Sequence, residues 1–319
     1  MAIESKADAR RGPIRRPGTS RLWGGISKLQ RREALEGIVM ALPWMIGFVI
    51  FTAGPMLAAI YLGLTKWDII TPPRFVGLGN YVELFTEDRL FLQSVRVTTL
   101  YTIMSVPIHV IFGFLLASLL NARVPGTNLF RSIFYLPSVL PLVASAVLWS
   151  WLLNPEFGLV NYALSRIGIK GPGWLTSETW ALPAIVFMNV QFIGITMVIM
   201  LAGLQRVPQE LYEAAELDGA GRWSRLRYIT LPMMSSVIFF TIVININNSF
   251  QTFTQAYVMT NGGPSNATLF YMLYLYNNAF RFYKMGYASA MALLLFIVMV
   301  VITLVQFRLS RRWVYTEEG

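Results

Sequence analysis

Glu213-Ala214-Ala215-Glu216-Leu217-Asp218-Gly219, followed nine residues later by Ile229-Thr230-Leu231-Pro232, forms a polar island between two long apolar runs. From Pro208 onward the stretch reads as a short helix. Pro208 suits the first turn, Glu210 to Leu217 are good helix formers, and Gly219 and Gly221 suit a left-handed termination. Trp223 to Thr230 can start a further helix, and Pro232 is tolerated where the next apolar run begins. The small side chains of Ala214 and Ala215 permit close approach of a partner. Glu213 can accept hydrogen bonds or pair with an Arg, and Leu211 and Tyr212 can fill an apolar groove. This is the pattern of a helix that docks into a groove. Composition alone suits an ordinary amphipathic surface loop equally well.

Working outward, the chain of 319 residues is 55% hydrophobic and 13% charged, with mean hydropathy +0.54. Soluble domains carry about 25% charged residues. So little charge cannot cover a water-facing surface, and lipid is the expected environment. Six apolar stretches approach the ~20 residues that a helix needs to cross a bilayer core: 38–64, 97–120, 132–153, 182–204, 233–259 and 286–307. Backbone groups in lipid must be satisfied within the segment, so these stretches are expected to be helices. The short alternating strands of a membrane barrel are missing from the pattern. The expected fold is an all-α membrane protein of six transmembrane helices. Its tripartite organisation comprises a basic tail at 1–37, a six-helix transmembrane domain at 38–310 with the polar island at 205–232, and a short tail at 311–319.

Charge sets the orientation. Lys66, Arg74, Arg89, Arg166, Lys170, Arg281 and Lys284 fall in the first, third and fifth connections, and Arg96 sits at a boundary. The rest of the 26 Lys and Arg lie in the leading tail, the second and fourth connections and the trailing segment. By the positive-inside rule both termini are cytoplasmic. The leading segment, with Arg10, Arg11, Arg15, Arg16 and Arg21, reads as a tail that becomes an interfacial helix near residues 22–36. It lacks the short apolar core and small-residue cleavage site of a signal peptide. The net charge of +10 does not imply nucleic acid, because the basic residues alternate with spans instead of sharing a face.

Several chemistries are disfavoured. No Asp, Glu, Lys or Arg lies within the spans away from their ends, whereas ion-coupled carriers usually keep ionisable groups there. His109 is the sole His and reads as a packing or hydrogen-bonding residue. Neither a phosphate-binding G-x-x-x-x-G-K-[ST] loop nor G-x-S-x-G or H-E-x-x-H occurs. There is no Cys, which removes disulfides and thiolate metal sites. An enzymatic role is not expected, nor is a cofactor or metal of the chain's own.

The spaced pattern of the island resembles that of the permease subunits of bacterial binding-protein-dependent ABC importers. The similarity runs from Leu35 to Arg308 and is to the carbohydrate-uptake branch, which includes the larger maltose-transporter permease and the first glycerol-3-phosphate permease. Supporting stretches are Phe75-Val76-Gly77-Leu78-Gly79-Asn80-Tyr81, Leu136-Pro137, Asn154 to Asn161, Ala202 to Pro208, Asn261-Gly262-Gly263-Pro264 and Gly286-Tyr287-Ala288-Ser289-Ala290. The chain lacks the extra N-terminal spans and large periplasmic insertion of the maltose relative. The resemblance implies that Leu211, Tyr212, Glu213, Ala214, Ala215, Asp218 and Gly219 couple the chain to an ATPase subunit. It implies four kinds of partner: a second homologous permease, an ATPase dimer that uses ATP-Mg, an extracytoplasmic sugar-binding protein, and membrane lipid. The expected location is the bacterial plasma membrane. The Asn261 to Pro264 loop is expected to be structured and to face the binding protein.

A candidate solute path lies in the fifth apolar stretch. Asn245, Asn248, Ser249, Thr252 and Gln255 follow helical spacing and share one face, with Phe250 and Phe253 beside them. Amides and hydroxyls can bond sugar hydroxyls, and rings can stack on sugar C–H faces. Interhelical hydrogen bonding is the competing role. The resemblance adds Gln191, Phe192 and Thr196 of the fourth stretch, with Gln191 standing where an aromatic residue is more usual. The expected cargo is a sugar. Glycerol-3-phosphate or another small solute is the alternative within the same architecture. A standalone channel, an ion-coupled carrier and a membrane scaffold are rivals outside it.

Overall fold

A computed structural model of the chain describes residues 28–122 and 126–315. Most of the basic tail, Arg123 and the last four residues lie outside the described residues. The chain divides into two compact units, meeting at Met56 and Leu57, which are taken separately.

In the first unit, α1 (Lys28–Phe48) continues through a π-helical turn at Val49–Ala53 into α2 (Gly54–Gly63). The expected interfacial helix and first span are thus one helix from Lys28 onward. Arg32 pairs with Glu36 at 2.8 Å, one turn apart. The π turn has a local cause. Pro55 has no N–H to continue the i−4 ladder, so the register widens just before it, where Gly54 N–H donates to Val49 O.

The second unit begins within α2, at Leu57, and continues with a small hairpin, β1 (Thr65–Lys66) paired antiparallel with β2 (Arg74–Phe75), in register Thr65 to Phe75. Helix α3 (Gly79–Thr86) follows. Its buried Asn80 donates to the carbonyls of Gly63 (2.8 Å) and Thr65 (2.9 Å), which pins the hairpin. Helix α4 (Arg89–Asn121) is 33 residues long. Asp88 caps it, accepting from Leu90 N at 2.9 Å and Phe91 N at 3.0 Å.

Then come α5 (Thr127–Tyr135), α6 (Leu142–Leu152), α7 (Leu159–Arg166), α8 (Ala181–Asn189) and α9 (Ile193–Leu204). After these lie α10 (Gln209–Leu217), α11 (Arg222–Arg225), α12 (Leu231–Met233), α13 (Ser235–Phe250) and α14 (Thr254–Met259). The last two helices are α15 (Tyr271–Tyr276) and α16 (Met285–Ser310). The second Asp88 oxygen accepts from Tyr274 Oη at 2.6 Å and from Tyr287 Oη, so one carboxylate joins α4, α15 and α16.

Two expected spans are not single straight helices. The stretch 132–153 is broken between Val139 and Leu142, and its two parts meet at 95°. Pro137 and Pro141 account for this: Leu140, held extended at ψ 139°, precedes the second proline. The stretch 233–259 is bent by 65° from the preceding Arg222–Met233 segment. It breaks again at Gln251–Phe253, between α13 and α14. A π turn at Leu226–Thr230 precedes Pro232, just as one precedes Pro55. By length and composition four helices can cross a membrane, or up to six if each bent pair counts as one span.

The core has two centres. One gathers Leu84, Phe91, Tyr101, Ile185, Met188, Phe270 and Met291. The other gathers Ala117, Met197, Met200, Leu204 and Met234. The outside is also apolar: Phe112, Leu119, Phe240 and Leu304 are all exposed. Burial of apolar groups from water therefore cannot be what orients these helices, and close packing and polar ties take over. Among the described residues no group of His, Asp and Glu could hold a metal ion.

Candidate functional site

The polar residues of α13 do not share one role. Asn245, Asn248 and Ser249 open onto a cavity of about 400 Å³, together with Thr252 in the break after α13 and Gln255 from α14. Phe192 and Thr196, at the start of α9, line it as well. Asn247 instead donates back to Val243 O at 2.8 Å and faces away from this cavity.

Two expected residues lie elsewhere. Gln191 does not line the cavity: its Oε1 accepts from Trp149 Nε1 at 3.1 Å, and its backbone carbonyl accepts from Ser138 Oγ at 3.2 Å. Phe253 is stacked on Tyr257, 5.3 Å between centroids, and packs on Tyr276 at 5.0 Å. The rings that do face the cavity are Phe192 and Tyr101.

Tyr101 is 1% exposed and packs edge-on against Phe270 at 5.0 Å, and its hydroxyl makes no well-formed hydrogen bond among the described residues. Its lining role was missed, although Tyr101, Ser105 and His109 recur every four residues in an apolar helix and mark a polar stripe. His109 also borders the cavity, and both its ring nitrogens reach carbonyls. Nδ1 lies 3.0 Å from Ser105 O and Nε2 lies 3.2 Å from Asn189 O. Asn189 immediately precedes a 3₁₀ turn at Val190–Phe192, where Ile193 N–H bonds Val190 O. Asn189 Nδ2 adds a 3.3 Å bond to Ser105 Oγ. His109 is therefore a tie between α4 and the break before α9. No Asp, Glu, Lys or Arg lines the cavity. Its hydrogen-bonding capacity is amide, hydroxyl and imidazole.

The polar island forms a second candidate surface. Pro208 precedes α10, which ends in a Schellman motif. Gly219, at φ +77°, donates to Glu216 O at 3.0 Å, and Ala220 N–H donates to Ala215 O at 2.8 Å. Glu213, Ala214, Asp218 and Gly219 are exposed and Ala215 is half-buried. Tyr212 turns inward: it packs on the core around Met200 and Met234, and its hydroxyl meets Thr230 Oγ1 at 2.9 Å. The outward apolar residues are Leu211 and Leu217, the latter 90% exposed. Leu217, which sequence reasoning left out, sits beside Glu213 one turn back and so belongs to the same face. Arg225 Nη1 meets Glu216 Oε2 at 3.0 Å across the turn.

Known proteins share this arrangement. The model of a family described as "Binding-protein-dependent transport system inner membrane component" matches residues 92–315. The probable ABC transporter permease protein YesP of Bacillus subtilis is 39% identical over 91% of this chain and 95% of its own. The trehalose/maltose transport system permease protein MalF of Thermococcus litoralis is 33% identical over 89% and 97% of the two chains. The lactose permease protein LacF of Rhizobium radiobacter gives the same figures, 33% over 89% and 97%. A chain of a bacterial ABC transporter solved with an alginate pentasaccharide-bound periplasmic protein superposes with a TM-score of 0.79. That chain is 27% identical, over 92% of this chain and 98% of its own. With a family match over most of its length and relatives of this similarity along nearly all of it, the chain is a permease subunit belonging to the binding-protein-dependent transport system inner membrane component family.

Proposed function

We propose that this permease subunit carries a neutral sugar through the cavity between α4, α9 and α13, driven by a separate ATPase that engages α10. The observation that carries the solute class is the cavity lining: amides and hydroxyls with two aromatic rings, and no charged side chain. Hydroxyls of a sugar can bond the former and its C–H faces can rest on the latter. The trehalose/maltose and lactose relatives favour the same class. An acidic polymer such as alginate, or a phosphate ester, would call for cationic groups, and this chain's cavity offers none.

In this proposal the chain spans the bacterial plasma membrane six times, with the two bent pairs each counted as a span and both termini in the cytoplasm. Leu211, Glu213, Ala214, Asp218, Gly219 and Leu217 face the ATPase, while Tyr212 and Ala215 seat the helix on its own chain. A second homologous permease, an ATPase pair and an extracytoplasmic sugar-binding protein complete the machine. ATP-Mg belongs to the ATPase. Rocking of the permeases exposes the cavity alternately to the two sides.

Purification of the tagged chain from its native membrane in mild detergent, with mass spectrometry of what accompanies it, tests this directly. An ATPase and a second permease should accompany the wild type, and the ATPase should be depleted from Glu213→Ala. The binding protein recovered with the complex should retain a neutral sugar. A chain that purifies alone would sink the assembly, and a binding protein selective for anions would sink the solute class.

A further inference from the structure

Thr196 stands apart from the other buried threonines. Each of those donates its hydroxyl to a backbone carbonyl, which for Thr98, Thr102 and Thr241 lies one turn back along the same helix. Thr196 is 4% exposed and lines the cavity, yet its hydroxyl makes no hydrogen bond among the described residues. The reason lies across the helix crossing. A β-carbon placed on Gly113 of α4 would stand 2.5 Å from the Thr196 methyl and 3.1 Å from its Cβ. The methyl therefore occupies the space that a side chain at position 113 would need. A threonine in a helix divides between two rotamers, according to whether the hydroxyl takes the bond to the preceding turn. Where the methyl fills the notch at Gly113, the hydroxyl cannot occupy the same seat.

We propose that Gly113 is a positioning residue for solute recognition: its missing side chain holds the Thr196 methyl and thereby leaves the Thr196 hydroxyl unpaired for a sugar hydroxyl. The inference rests on the cavity being the sugar path. Gly113 is otherwise costly inside a long helix, where Ala is the better helix former. Its presence is explained if the notch it makes sets the orientation of a side chain that solute meets.

The test uses the complete transporter in proteoliposomes, with uptake of ¹⁴C-labelled trehalose, maltose and lactose, and with recovery of both partner subunits checked for every preparation. Thr196→Val keeps the branched shape and loses the hydroxyl, so uptake should fall about tenfold, the scale of one hydrogen bond. Gly113→Ala should cause a similar fall by displacing the methyl. In Gly113→Ala/Thr196→Ser the clashing methyl is gone and the hydroxyl remains, leaving a tight contact of a few tenths of an ångström to relieve. Its uptake should return to the level of Thr196→Ser alone. If Thr196→Val lowers uptake but the double variant stays as poor as Gly113→Ala, or as poor as Thr196→Val should Gly113→Ala fail to assemble, the positioning role is overturned and the cavity stands. If Thr196→Val transports like the wild type, Thr196 is not a solute contact and the premise itself fails. A wild type that carries none of the three sugars overturns the neutral-sugar reading on which the inference rests.

Discussion

At the scale of single residues, the cavity lining mixes polar groups bonded to their own helix with groups that are not. Asn245 donates to Thr241 O at 2.9 Å, whereas Asn248 and Gln255 make no side-chain hydrogen bond among the described residues. A cavity-lining amide without a protein partner is open to water or solute. The absence of Cys makes this directly measurable. Asn248→Cys should react with a small water-soluble methanethiosulfonate reagent, and added sugar should slow the reaction. Phe253→Cys, inside the stack with Tyr257 and Tyr276, should stay protected. Equal labelling of the two positions would contradict the cavity assignment. Helical spacing made Asn245, Asn248, Ser249 and Thr252 legible in the sequence. Tyr101 and Asn189 were not, because their roles depend on which helix faces them and on a break that no residue type announces.

At the scale of elements, the sequence marked where helices stop more clearly than how they bend. Gly219 announced the end of α10, and the structure gives it φ +77°. A β-branched residue is poorly accommodated there, and Gly219→Val should destabilise the turn by about 1–2 kcal/mol. The expected readout is a lower fraction of chain recovered with its ATPase, while the six apolar stretches still insert into the membrane. Unchanged recovery would mean that the left-handed turn is dispensable. The paired prolines at 137 and 141 and the lone Pro232 were visible, and each lies beside a bend. The breaks at Val190–Phe192 and Gln251–Phe253 contain no proline and were read as continuous helix. Apolar periodicity records length and composition, but not a local exchange of i−4 for i−3 bonds. The carbonyl that His109 meets, Asn189 O, lies at the start of the first of these breaks.

For the whole molecule, many large apolar side chains are exposed among the described residues, and no Asp, Glu, Lys or Arg lines the cavity. A carrier driven by an ion gradient would need a group to hold that ion. Uptake should therefore cease when ATP is depleted and survive collapse of the proton and sodium gradients. The reverse result would point to a carrier. The family was legible from one polar island and its spacing. The division of each bent stretch into two helices required coordinates.

The way α10 is fastened has a mechanical consequence. Its ring anchor, Tyr212, is packed into the body and bonded to Thr230, and Thr230 immediately precedes α12 and the foot of α13. A loosely hung loop would behave as a slack cord, absorbing any displacement in its own slack. A helix seated in this way behaves as a strut, with compliance close to that of the packed core. A push on the exposed side of α10 would thus arrive at the base of α13, the helix whose upper turns form the cavity wall, with little of its stroke lost on the way.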